Sequence, residues 1–90
     1  MRGRVVMANI DAFVVKLGDN LYSIIDLPPI TTIHDIYKEA DVEVSDEIQG
    51  ELLTEGSVEL LNITRKKALN VVIRKSQATK YDLAAFLNNP

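Results

Sequence analysis

The stretch that most constrains the fold is IDAFVVKLGDNLYSIIDL, residues 10–27, which predicts a β-hairpin. Its two halves are rich in β-branched and aromatic residues, and the Gly-Asp-Asn sequence at 18–20 supplies residues that tolerate positive φ in a three-residue loop. We expect Val5 and Val6 to extend the first strand, and the double proline at 28–29 to end the second, because proline cannot donate to a sheet. An isolated two-stranded hairpin is marginally stable in water, so other residues or a second chain must cover it.

Three or four helices are predicted to provide that cover. Thr32 and Ser45 have the residue type of helix N-caps, and acidic residues follow each of them, where the helix dipole favours negative charge. Thr79 is predicted to begin the last helix, because Asp82 stands three residues later and completes a capping box. Each predicted helix carries apolar residues at helical spacing along one face.

Residues 57–76 admit two interpretations. As one long helix, they place five apolar residues on one face: Val58, Leu61, Ala68, Leu69 and Val72. As strands, SVELLNIT and ALNVVIRK form a hairpin around Arg-Lys-Lys at 65–67, which the β-branched run at 71–73 favours. No glycine, asparagine or proline occupies that turn. We favour the long helix and keep the hairpin as the alternative.

The predicted fold is therefore α+β: one small domain, residues 1–90, in which an N-terminal β-hairpin packs against three or four short helices. A chain of 90 residues has room for one core. Such a small domain often gains stability by self-association. The core is expected to draw on every element: Val6, Ile10, Phe13, Val15, Ile24, Ile36, Leu52, Leu61, Leu69, Val72, Leu83 and Phe86.

The net charge of −3 conceals a segregation along the chain. Residues 1–17 hold three bases and one acid, residues 18–56 hold one base and ten acids, and residues 57–90 hold six bases and two acids. Such asymmetry steers partners or pairs one subunit with the next. The alternative is that the two regions neutralise each other on the surface of one fold.

The composition offers little support for catalysis or cofactor binding. There is no cysteine, and His34 is the only histidine, whereas a metal site needs at least three convergent ligands. The glycines are isolated and no serine lies in a Gly-x-Ser-x-Gly elbow, so neither a phosphate-binding loop nor a hydrolase motif is present. No apolar run reaches the roughly 18 residues of a membrane span. We expect a cytoplasmic protein that is not an enzyme, binds no metal or other cofactor, and does not associate with membranes.

The tail ALNVVIRKSQATKYDLAAFL resembles, in its pattern, the first two helices of winged-helix DNA-binding domains. An apolar helix ends in basic residues, a polar turn leads to a threonine cap, and a short Ala/Leu helix follows. DNA recognition by this motif needs a further reading helix in the major groove, and Pro90 is the last residue of the sequence. The resemblance implies contact with nucleic acid through the basic segment.

Two functions follow as expectations. The first is a non-enzymatic protein–protein interaction or assembly module that forms homo-oligomers. The alternative is a small nucleic-acid-binding, helix-turn-helix-like regulator that uses the basic C-terminal segment. For both, the expected partner-binding residues are Arg65, Lys66, Lys67, Arg74, Lys75, Lys80 and Tyr81.

Overall fold

The computed structural model describes residues 1–9, 12–27 and 42–88, which form a closed six-stranded antiparallel β-barrel with one short C-terminal helix. The order of strands around the barrel is β1-β2-β3-β6-β5-β4, and β4 pairs with β1 to close it. The elements are β1 (Arg2–Ala8), β2 (Ala12–Gly18), β3 (Leu21–Asp26), β4 (Glu47–Gln49), β5 (Gly56–Asn62), β6 (Lys67–Ala78) and the helix α1 (Lys80–Asn88).

The predicted α+β fold is wrong, and the main reason lies in residues 57–76. These residues form the antiparallel pair β5–β6, so the hairpin alternative is confirmed and the favoured long helix is not. Alternate residues point into the barrel, where Leu60 pairs with Leu69 and both are buried. Leu61 and Val72, which the helical interpretation placed in the core, lie on the outer wall. Barrel closure buries the period-two set of apolar residues, and this outweighs the helical spacing.

The helix predicted from Ser45 is also wrong. Ser45 has a φ of 81°, and the residues after it form the short strand β4 between β1 and β5. The acidic residues that suggested a first helical turn have other roles there, since Asp46 is buried and Glu47 begins β4. The helix predicted from Thr32 lies outside the described residues.

The predicted N-terminal hairpin is confirmed as β2–β3. The turn is tighter than expected, because Gly18 pairs with Leu21 across Asp19 and Asn20. Val5 and Val6 do not extend the first strand of this hairpin. They belong to a separate strand, β1, which pairs antiparallel with β2, so neighbouring strands rather than helices flank the hairpin.

The main core fills the barrel interior and is built from strand residues together with Val42 and Leu52, which lie outside the strands. Of the predicted core, Phe13, Val15, Leu52 and Leu69 are in this cluster. Val6, Leu61 and Val72 are exposed, and Ile10 and Ile36 lie outside the described residues. Ile24, Leu83 and Phe86 belong to a second apolar cluster outside the barrel.

That second cluster forms where α1 packs on the outer wall of β2 and β3. Leu83 and Phe86 of α1 contact the buried residues Val14, Ile24 and Ala78. The predicted cap is confirmed: the Thr79 backbone N–H donates to Asp82 Oδ2 at 3.0 Å, and the Asp82 N–H donates to Thr79 Oγ1 at 3.4 Å.

The hydrogen bond from the Thr79 backbone, followed by those from the Lys75 ammonium and the Thr79 hydroxyl, holds the pKa of Asp82 below its ordinary value of 3.8. The element before α1 is strand β6 and not a helix, so the described residues do not form the helical pair that the winged-helix resemblance implied. Within the described part of the chain, no helix is both long and apolar enough to span a membrane.

Candidate interaction surface

The basic residues predicted to bind a partner do not form one patch. Arg65 and Lys66 lie in the turn between β5 and β6, Lys67 begins β6, and Lys75 lies near the other end of the same strand. The eight residues from Lys67 to Lys75 correspond to roughly 26 Å of extended chain. The predicted binding residues therefore occupy two ends of the barrel.

Arg65 is held in a polar network that closes one end of the barrel. Its Nε donates to Asp46 Oδ2 at 2.7 Å, and its Nη2 lies 2.7 Å from Glu43 Oε2. Asn62, which is fully buried, donates from Nδ2 to the same Asp46 oxygen at 2.9 Å and accepts the Arg65 backbone N–H at 3.2 Å through Oδ1. The network joins the segment before β4 to the β5–β6 turn.

Asp46 is the centre of this network. Burial alone would raise the pKa of its carboxyl, but hydrogen bonds from Asn62, the Glu43 backbone and Arg65 outweigh burial and hold the pKa below 3.8. The Glu43 backbone N–H donates the third of these hydrogen bonds, at 3.0 Å. The carboxylate is therefore ionised at neutral pH and stabilises the fold, which leaves it unsuited to proton transfer.

Arg74 and Lys75 are also paired with acids. Arg74 makes a bidentate contact with Asp26, with Nη2 2.6 Å from Oδ1 and Nε 3.1 Å from Oδ2, and its guanidinium lies 4.8 Å from the centre of the Phe86 ring. Lys75 Nζ donates to Asp82 Oδ1 at 3.1 Å. Both contacts fix α1 to the barrel wall and reduce the positive charge available to an anionic partner.

The other predicted residues are exposed. Lys66 has a φ of 56° in the β5–β6 turn, and Lys67 lies opposite Asn62 at the start of β6. Lys80 is the first residue of α1, and the Tyr81 side chain next to it is 85% exposed. Of these four, only Lys66 and Lys67 are neighbours of Arg65.

The outer face of β5 and β6 is the broadest exposed surface formed by described strands. Cross-strand pairing places six exposed residues on it, and we call them the β5–β6 face: Ser57 with Val72, Glu59 with Asn70, and Leu61 with Ala68. Leu61 is 45% exposed and Val72 is 44% exposed. The helix α1 covers the β2–β3 wall, whereas these six side chains face solvent.

A groove of about 550 Å³ opens on the same face. Its lining is largely apolar and comes from the end of β3, from the residue after it and from the middle of β5 and β6: Asp26, Leu27, Ser57, Val58, Glu59, Asn70, Val71 and Val72. The groove is broad and open, which suits the side chains of a protein partner better than an enclosed small molecule.

Sequence reasoning missed this face because the helical interpretation placed Leu61 and Val72 in the core. Strand alternation was the available signal, since Val58 and Leu60 on one side imply that Ser57, Glu59 and Leu61 point the other way.

Metal binding gains no support from the described residues, which contain no group of three His, Cys, Asp or Glu side chains able to hold an ion. His34 lies outside them. Comparisons with protein-family models, with curated proteins and with solved structures each gave no match to the chain.

Proposed function

We propose that this protein is a non-enzymatic protein-interaction and assembly module that self-associates through the β5–β6 face. The observation that carries the proposal is the exposure of Leu61 and Val72 on a wall that no described helix covers. Burial of apolar area contributes about 25 cal/mol per Å², so covering these side chains and Ala68 favours association. The cytoplasmic setting expected from the sequence remains part of the proposal.

The closed barrel restricts how such a contact forms. Each strand of the described barrel pairs with two neighbours, including β4 with β1 and β5. Addition of a partner strand to a free sheet edge is therefore disfavoured. The contact we propose uses outward side chains, with an apolar centre and polar residues at its margin, as in other protein interfaces.

Nucleic-acid binding through the basic segment is the alternative, and the geometry gives it less support. Arg65, Arg74 and Lys75 each pair with an acid, and the basic residues lie at two ends of the barrel. Binding to duplex DNA needs a concentrated positive surface and weakens steeply with salt. A titration with random duplex DNA at low salt tests the alternative, and tight binding with a steep salt slope would favour it over self-association.

Sedimentation velocity across a concentration series tests self-association. The wild-type chain is expected to form species larger than its 10.0 kDa monomer. Leu61→Lys places a charge in the β5–β6 face and is expected to shift the distribution toward monomer. Leu21→Lys is the matched control, because Leu21 is 43% exposed but begins β3 at the β2–β3 turn, away from this face.

Circular dichroism should show that both variants retain the wild-type strand content. A wild-type chain that stays monomeric at the highest attainable concentration would contradict the proposal. Equal loss of association in Leu61→Lys and Leu21→Lys would contradict the assignment of the face.

A further inference from the structure

The outer wall of β1 and β2 carries a cluster of bases, which we call the basic wall: Arg2, Arg4 and Lys16. Arg4 and Lys16 are directly opposite each other in the β1–β2 pair. Like charges at such positions destabilise a sheet. Arg2 has a distant ion pair, 3.8 Å from Glu47, and Arg4 donates to the Ser45 carbonyl at 3.0 Å. Among the described residues Lys16 has no ion pair, so the basic wall retains unneutralised positive charge.

Three exposed acids lie on the side of the barrel that carries the β5–β6 face. Glu59 is in the middle of that face, and Glu51 and Glu55 lie in the loop that leads from β4 into β5. Within the described part of the chain none of the three forms an ion pair. Their negative charge surrounds the exposed apolar residues Leu61 and Val72.

The strand order places these two surfaces on opposite sides of the molecule. In the closed order β1-β2-β3-β6-β5-β4, strand β6 is three positions from β1 and β5 is three positions from β2. The basic wall and the β5–β6 face are thus diametrically opposed, so no single chain can bring them together.

We propose that self-association is head-to-tail, with the basic wall of one copy docked on the β5–β6 face of the next; this inference rests on the function proposed above. Charge complementarity identifies the occupant, because Arg4 and Lys16 of one copy meet Glu59 and its neighbouring acids in the next. Val6, which is 39% exposed two residues beyond Arg4, supplies an apolar contact for Leu61 and Val72. A two-fold contact between two β5–β6 faces would instead place the acids of both copies in one interface.

A head-to-tail contact leaves one free surface of each kind at the ends of every dimer. Addition of further copies then continues, and assemblies grow beyond the dimer into chains or rings. Because the contact pairs surface charges, its strength falls with ionic strength, and this fall is steeper than for a purely apolar contact.

Two charge reversals separate head-to-tail from two-fold association. Lys16→Glu damages only the basic wall, and Glu59→Lys damages only the β5–β6 face. Each variant alone is expected to weaken self-association by about tenfold or more, because like charges then oppose each other across the contact. An equal mixture of the two is expected to form a dimer that grows no further, since one intact basic wall meets one intact β5–β6 face.

Lys80→Glu is the control, since it makes the same charge change at the exposed start of α1, where a helix tolerates an acid. It is expected to associate as the wild type does. Sedimentation velocity in low and high salt measures all four samples, and circular dichroism verifies their fold.

The outcomes separate the two proposals. If Leu61→Lys and Glu59→Lys weaken association while Lys16→Glu does not, the β5–β6 face is the contact and head-to-tail docking is overturned. If wild-type assemblies stop at the dimer and resist salt, head-to-tail docking is likewise overturned. If the wild type never associates, both proposals fail.

Discussion

Removal of the Asp46 carboxylate should strongly destabilise the barrel. In Asp46→Ala the buried Asn62 amide loses its acceptor, and an orphaned buried donor costs about 1–3 kcal/mol. Arg65 loses one of its two carboxylate partners, and its side chain, 25% exposed, keeps the contact with Glu43. Because removing a carboxylate also removes its desolvation cost, we expect a net loss of about 3 kcal/mol in the free energy of unfolding.

Urea denaturation followed by far-UV circular dichroism at neutral pH measures this loss, since the chain has no tryptophan. The expected change corresponds to roughly 12–24 °C in Tm for a domain of this size. Glu43→Ala is the matched control: it removes the other carboxylate of the same arginine, but the Glu43 side chain is 63% exposed, so the expected loss is at most about 1 kcal/mol.

The effect should also depend on pH. The pKa of Asp46 in the folded state lies below 3.8, so its stabilising contribution is fully present above that value and is lost as pH falls through the folded pKa. The difference between wild type and Asp46→Ala should therefore be largest near neutral pH and narrow below about pH 4. A loss under about 1 kcal/mol, or equal losses for Asp46→Ala and Glu43→Ala, would refute the role assigned to this carboxylate.

Three further substitutions test other features. Thr79→Ala removes the cap of α1 and should cost about 1 kcal/mol, with faster amide exchange in α1 than in the barrel strands; unchanged exchange would contradict the role of the cap. Ser23→Ala removes a buried hydroxyl for which the described residues show no hydrogen-bond partner, so stability in urea should stay the same or rise by up to about 1 kcal/mol, and a clear loss would count against this. Gly3→Ala would place a Cβ 2.7 Å from the Lys16 carbonyl oxygen and against Val15, so the β1–β2 pair should weaken by at least about 2 kcal/mol in the same assay; a near-neutral result would disprove this close approach.

The sequence predicted the short-range features of the fold. The β2–β3 hairpin and the capping box at Thr79 depend on residues close together in the chain, and both are confirmed. The β5–β6 turn was harder to recognise because it has no glycine or proline. It is stabilised by the Asn62 side chain, which accepts the backbone N–H of Arg65, and by the left-handed conformation of Lys66. Asn62 at the end of the first strand was the available signal.

The features that depend on distant residues could not be predicted. The pattern Ser45-Asp46-Glu47 is typical of a helix start, yet Asp46 is buried by Asn62 and Arg65, which lie more than a dozen residues away in sequence. Barrel closure likewise depends on the pairing of β1 with β4, which no local pattern indicates.

The candidate interaction surface was predicted only in part. The charge segregation correctly suggested that bases and acids matter, but Arg65, Arg74 and Lys75 pair with acids of the same chain. The inference of an assembly module therefore moves from the basic segment to the β5–β6 face, which is defined by the direction of each strand residue. That direction follows only once the strands are known.

The measurement that tests this account most directly is a set of interstrand NOEs in the NMR spectrum of the labelled protein, because both proposed surfaces depend on barrel closure. We predict NOEs between Gly3 and Ile48 and between Leu60 and Leu69, whose Cα atoms are partners across β1–β4 and β5–β6. Helical contacts between residues three apart in 58–75, or the absence of any contact between β1 and β4, would contradict it.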